Sequence, residues 1–152
     1  MELLRKVASF TTSMEEKKDI YILYRRSILE QSCVVWNSSL TAENCDDLER
    51  VQKAAVRIII GKNYTNYENA LMKADLEPLK TRRDELCKTF AEKCTISEHE
   101  PTKKMFPINK KKHSMKIRDS DKFKVNHANT VRLQQSAIPF MQRLLNNNIS
   151  YY

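Results

Sequence analysis

Thr41-Ala42-Glu43-Asn44-Cys45-Asp46-Asp47-Leu48-Glu49-Arg50-Val51-Gln52-Lys53-Ala54-Ala55-Val56-Arg57-Ile58-Ile59-Ile60-Gly61 is the stretch that decides the fold class. Thr41 is a natural N-cap, and Glu43, Asp46 and Asp47 come next, where the helix dipole favours anions. Gly61 supplies a stop. Between these ends Leu48, Val51, Ala55, Ile58 and Ile59 recur at helical spacing and mark a buried face. Arg50, Lys53 and Arg57, at i, i+3 and i+7, line the opposite side as one basic stripe.

The flanks read the same way. Glu2 to Phe10 is a short amphipathic helix. Ser13 with Glu16 forms a capping box that opens a long helix to about Trp36, with Ile20, Leu23, Tyr24, Ile28, Gln31, Val34 and Val35 in phase. Asn66 caps a two-turn helix carrying Tyr67, Ala70, Leu71 and Ala74. Pro78 suits the first turn of a fifth helix that runs through Leu79, Arg83, Leu86, Phe90 and Cys94. From Ser97 to about Asn129 the period is lost, and Pro101, Pro107 and Lys110-Lys111-Lys112 interrupt any element. Ser136 then introduces a terminal helix through Pro139 and Leu144-Leu145.

These readings predict an all-α chain: a helical domain of about five helices over residues 1–96, a basic irregular arm over 97–135, and a short C-terminal helix and tail over 136–152. Trp36, Leu48, Val51, Ile58, Leu86 and Phe90 are its expected core. Composition agrees, because a chain of 152 residues with a single glycine cannot build a glycine-rich phosphate cradle or many tight hairpins. Dinucleotide-binding and P-loop functions are thereby excluded. No apolar run is long enough to span a bilayer, and the N-terminus lacks an uncharged apolar leader, so an intracellular protein with reduced thiols is expected.

The net charge of +8 is uneven. Residues 1–96 hold 16 basic and 15 acidic side chains, and residues 97–152 hold 11 and 4. The excess belongs to the C-terminal third, as in an arm that meets an anionic polymer. There Lys103, Lys104, Lys110, Lys111, Lys112, Lys116, Lys122 and Lys124 interleave with Met105, Phe106 and Phe123. Basic groups of that kind track phosphates and aromatic rings stack on bases, although the same phenylalanines could instead pin the arm to the helical core.

Catalytic and metal chemistry find little support. The four cysteines are separated by 12, 42 and 7 positions, with no Cys-x-x-Cys pair. Cys87, Cys94, His99 and His113 could be assembled into a zinc site only on paper, because Cys87 and Cys94 lie on the inner face of a helix as small hydrophobes. All three histidines, at 99, 113 and 127, sit in the arm, a poor place to hold catalytic geometry. No catalytic residue, metal or cofactor is expected.

Taken in order, Tyr24-Arg25-Arg26-Ser27-Ile28-Leu29-Glu30 to Trp36, Leu48-Glu49-Arg50-Val51-Gln52-Lys53-Ala54-Ala55 to Gly61, Leu76-Glu77-Pro78-Leu79, Arg82-Arg83, Phe106-Pro107 and Ser136 to Leu144-Leu145-Asn146 resemble the C-terminal part of non-LTR (LINE-type, jockey-like) retrotransposon reverse transcriptases. The resemblance is collinear over nearly the whole chain. It implies the thumb and post-thumb helices of an RNA-directed DNA polymerase, without the palm whose aspartates bind two Mg²⁺. Asp46-Asp47 lacks the preceding aromatic of that motif and reads as a capping feature. The chain is then expected to be no enzyme by itself, a truncated piece that binds RNA, DNA or their hybrid by the backbone. Arg25, Arg26, Arg50, Lys53 and Arg57 would join the arm lysines in that role, and surface normally covered by the palm could drive self-association. The reading from a different class is a helical protein-interaction module whose basic tail only solubilises it.

Overall fold

A computed structural model describes residues 2–10, 13–107, 122–125, 127 and 129–147. The described residues are mostly helical, 78% of them, with no strand among them. It divides into two compact units: residues 1–33 with 40–83, and residues 34–39 with 84–152. The division falls at 83/84, inside a helix, whereas the sequence reading ended its helical domain at 96. On the first unit's side of the division Leu79 and Arg83 of this helix are buried, and on the other side Cys87, Ala91 and Cys94 join the second unit's core.

The first unit begins with α1 (Glu2–Phe10) and α2 (Met14–Tyr21). Ser13 caps α2, its Oγ accepting from the Glu16 amide at 3.3 Å. The expected long helix does not continue unbroken to Trp36. Ile22–Arg26 forms a π-turn, closed by the Ser27 amide donating to the Ile22 carbonyl, before α3 (Ser27–Glu30). The helix then breaks at Gln31 and at Ser32, whose φ of 54° no α-helix accepts. A short α4 (Cys33–Trp36) and a 3₁₀ turn at Asn37–Ser39 come next.

The long α5 (Ala42–Ile60) starts at the expected Thr41 cap, whose Oγ1 accepts from the Asn44 amide, and stops at Gly61. Gly61 has φ 62° and ψ −130°, open to glycine and costly for any side chain, although nothing lies within 4 Å of where a Cβ would stand. Gly61→Ala is therefore expected to cost about 1–2 kcal/mol through backbone conformation alone. A thermal melt checks this, and an unchanged midpoint would contradict it.

Asn66 caps α6 (Tyr67–Ala74), its Oδ1 accepting from the Asn69 amide at 2.8 Å. At the far end Asp75 adopts the left-handed conformation, the Asp75 amide bonds the Met72 carbonyl, and the Leu76 amide bonds the Leu71 carbonyl. This is a complete Schellman motif, with Leu71 and Leu76 both in the core. Tyr21 of α2, Ala55, Val56, Ile59 and Ile60 of α5, and Ala70, Leu71, Ala74 and Leu76 fill that core.

In the second unit, the residues of α7 (Leu79–Ile96) beyond Arg83 supply Cys87, Ala91 and Cys94. The expected irregular stretch contains one turn of helix, α8 (Glu100–Lys104), because Pro101 sits at its start, where a missing amide costs nothing. Phe106, just beyond it, is buried. A short α9 (Val131–Gln134) precedes the expected terminal helix, α10 (Ala137–Asn147). Phe106, Met141 and Leu145 complete this core, with Val34, Phe123 and Phe140 against it. Phe106 and Phe123 thus do the pinning that the sequence allowed them. Gln142 donates to the Met105 carbonyl at 2.8 Å, and the Asn146 amide bonds both backbone groups of Phe123.

The expected core needs correction. Leu48, Val51, Ile58, Leu86 and Trp36 are only half-buried, and Phe90 is exposed. On α5 the fully buried positions are 52, 55, 56, 59 and 60, a face turned by one residue from the expected stripe. The residue responsible is Gln52.

Candidate nucleic-acid interface

Gln52 is 1% exposed, and every donor and acceptor of its side-chain amide is used. Tyr21 donates its hydroxyl to Gln52 Oε1 at 2.7 Å. Gln52 Nε2 donates to the Glu77 carbonyl at 2.7 Å and to the Tyr67 hydroxyl at 3.1 Å. Tyr67 in turn donates to Glu49. Glu49 Oε2 accepts from the Leu79 amide at 3.1 Å, placing a carboxylate at the start of α7 where the helix dipole favours it. A buried polar group so fully partnered holds a unique packing, which is why an amide displaces the apolar residues expected there. Burial, and after it the bond to Glu49, pushes the Tyr67 phenol well above its ordinary range. Burial likewise raises Tyr21, so both hydroxyls stay protonated and donate at any physiological pH.

With Glu49 and Gln52 turned inward, Arg50, Lys53 and Arg57 must face out, and all three are exposed. Arg50 pairs with Asp47 at 2.8 Å in an ion pair open to water. The Lys53 ammonium lies 5.2 Å from the centre of the Tyr67 ring, and the Arg57 guanidinium 5.2 Å from that of Tyr64. Cation–π contact restrains both cations without neutralising them. The Tyr67 hydroxyl, bonded to Glu49 and Gln52, fixes the ring on which Lys53 rests. Buried network and basic row are thus one assembly. Neither tyrosine was picked out as a site residue from sequence, and the only available signal was their position just beyond the end of α5.

Arg25 and Arg26 fare differently. After Tyr21 an unbroken helix would turn Tyr24 and Ile28 inward. The π-turn advances the inward stripe to Arg25, Arg26, Leu29 and Glu30, which are half-buried, and leaves Leu23, Tyr24 and Ile28 exposed. Arg26 Nε donates to Glu30 Oε1 at 2.6 Å, with both side chains mostly covered. Arg26 is therefore committed to Glu30 rather than offered to a backbone. In the second unit Lys103, Lys104 and Lys124 are exposed and Lys122 is half-buried. Lys110, Lys111, Lys112 and Lys116 lie outside the described residues.

Among the described residues no three His, Cys, Asp or Glu side chains converge as metal ligands. Cys87 and Cys94 sit in the apolar core, where burial raises the Cys94 thiol. No helix among the described residues is long and apolar enough to cross a membrane. Compared with protein-family models, curated proteins and solved structures, the chain finds no match in any of the three.

Proposed function

We propose that this chain is the C-terminal, thumb-like segment of a non-LTR retrotransposon reverse transcriptase and grips the backbone of RNA, DNA or their hybrid without reading bases. The observation that carries the reading is the exposed row Arg50, Lys53 and Arg57, two of whose cations lie against tyrosine rings. Backbone contacts need positioned charge and no base-edge chemistry. In this reading residues 1–96 act as the thumb-like bundle, and Lys103, Lys104, Lys122 and Lys124 extend the contact along the basic arm. On the same reading the chain carries no polymerase chemistry of its own, and Asp46 and Asp47, in the early turns of α5 with Asp47 tied to Arg50, act as capping residues. Its place of work is intracellular, nuclear or cytoplasmic.

Fluorescence anisotropy with a labelled RNA–DNA hybrid at several salt concentrations tests the reading. Binding should weaken steeply with salt, by roughly 0.9 decades per decade for each phosphate contact on a duplex. Replacing Arg50, Lys53 and Arg57 together by Gln should flatten that slope by about two to three. No binding at low salt, or a slope untouched by the triple variant, refutes it.

The second reading, a protein-interaction or self-association module, is favoured by one observation. Leu23, Tyr24 and Ile28 are 68%, 59% and 63% exposed on a single helical segment. Sedimentation that shows concentration-dependent association together with absent nucleic-acid binding would select it.

A further inference from the structure

The first unit contains a cleft of about 500 Å³ that the nucleic-acid reading does not use. Two guanidinium groups line it, Arg26 from the π-turn and Arg82 from the first turn of α7, together with Leu71, Met72 and Leu76. The two arginines share one carboxylate. Glu30 Oε1 is taken by Arg26 Nε at 2.6 Å, which leaves Arg82 Nε at 3.6 Å from the same oxygen, too far for a hydrogen bond. The Arg82 guanidinium makes no hydrogen bond among the described residues, although its side chain is only 37% exposed and its Nε is buried. An arginine whose buried Nε has its nearest acceptor, the Glu30 oxygen, beyond hydrogen-bond reach carries a cost that an acceptor arriving at the guanidinium removes. The π-turn that brings Arg26 to the wall is itself an irregularity that helices keep mostly at functional positions.

The remaining acids define what fits. Asp75 also lines the cleft, but its carboxylate is 97% exposed and engaged by Lys18 at 3.1 Å. Glu77 is the other lining acid. Arg26 and Arg82 are offset by Glu30 and Glu77, so the cleft adds no net positive charge and accepts a single negative charge more readily than a dianion. The guanidinium fork matches a planar carboxylate, and exposed Met72, with the edges of buried Leu71 and Leu76, offers a small apolar surface beside it.

We propose that this cleft binds a small monocarboxylate with an apolar body, its carboxylate held by Arg82 and backed by Arg26, its hydrocarbon against Leu71, Met72 and Leu76. Occupation supplies Arg82 with the acceptor it lacks. The site is independent of the basic row on α5 and goes beyond the nucleic-acid reading.

The test is an NMR titration of the full chain with benzoate, with uncharged benzamide and inorganic phosphate as comparison probes. Benzoate should move the Arg82 side-chain Nε–Hε signal and the Leu71 and Met72 methyl signals together. Arg82→Gln should raise the benzoate Kd by about tenfold or more, the loss expected for a hydrogen bond to a charged partner. Met72→Glu, at an exposed position that leaves folding alone, should weaken benzoate through repulsion at the same wall, so the proposal stays falsifiable if the arginine variant is unstable. Absence of shifts at Arg82, equal response to benzamide, equal affinity for phosphate, or a Kd indifferent to both substitutions would overturn it.

Discussion

Replacing Gln52 by Met, which keeps the length and loses the amide, is expected to destabilise the first unit by about 3 kcal/mol. The Tyr21 hydroxyl, in a side chain with no exposure, would lose its acceptor, and the Glu77 carbonyl would lose its donor. Each buried group left alone costs on the order of 1–3 kcal/mol, and the added apolar volume does not repair either. At several degrees per kcal/mol for a unit of this size, the melting midpoint should fall by more than about 10 °C. Tyr21→Phe in the same background removes one of the two orphaned groups and should restore part of the loss. Non-additivity of that pair in a double-mutant cycle is the decisive measurement. A loss below about 0.5 kcal/mol for Gln52→Met would mean that the amide network is not what fixes the inward face of α5.

Truncating Phe106 to Ala should cost the second unit about 3–5 kcal/mol, the range for an aromatic side chain removed from a packed interior. Phe106 is 4% exposed and packs with Cys87, Ala91, Cys94, Met141 and Leu145. Its neighbour Met105 accepts the Gln142 amide, so the same substitution loosens the attachment of the segment to α10. Hydrogen exchange should show the amides of Met141 to Leu145 opening together. Protection unchanged at those amides would show that the segment is dispensable to this core.

The helix ends were legible because caps are local chemistry: Ser13, Thr41 and Asn66 each accept from the amide three residues on, and Gly61 ends α5. The two phenylalanines of the arm were legible as anchors or as stacking groups, and burial of Phe106 decides for the anchor. Rotation could not be read. A hydrophobic stripe fixes a face only to within one residue, and Gln52 looks polar until its partners Tyr21, Tyr67 and Glu77 are brought to it across separations of 15 to 31 residues. The basic row on α5 was visible as a spacing, but its tyrosine supports depend on how the chain returns after Gly61. Likewise nothing in Ile22-Leu23-Tyr24-Arg25-Arg26 announces a π-turn, so Tyr24 and Ile28 read as core while Arg26 read as surface.

That π-turn has a meaning in the count of residues rather than in their kind. A turn closed over five residues is a single-residue insertion absorbed inside a helix. Deleting Leu23 or Tyr24 would restore the ordinary pitch and leave α2 and α3 facing as they do, whereas straightening the turn with every residue kept would rotate α3 by about 100° against α2. Substituting Leu23 or Tyr24 leaves that phase unchanged. The half-buried Arg26–Glu30 pair, and with it the wall of the cleft, therefore depends on the extra residue being taken up in one wide turn: it survives the loss of that residue and is erased if the full segment relaxes to ordinary pitch.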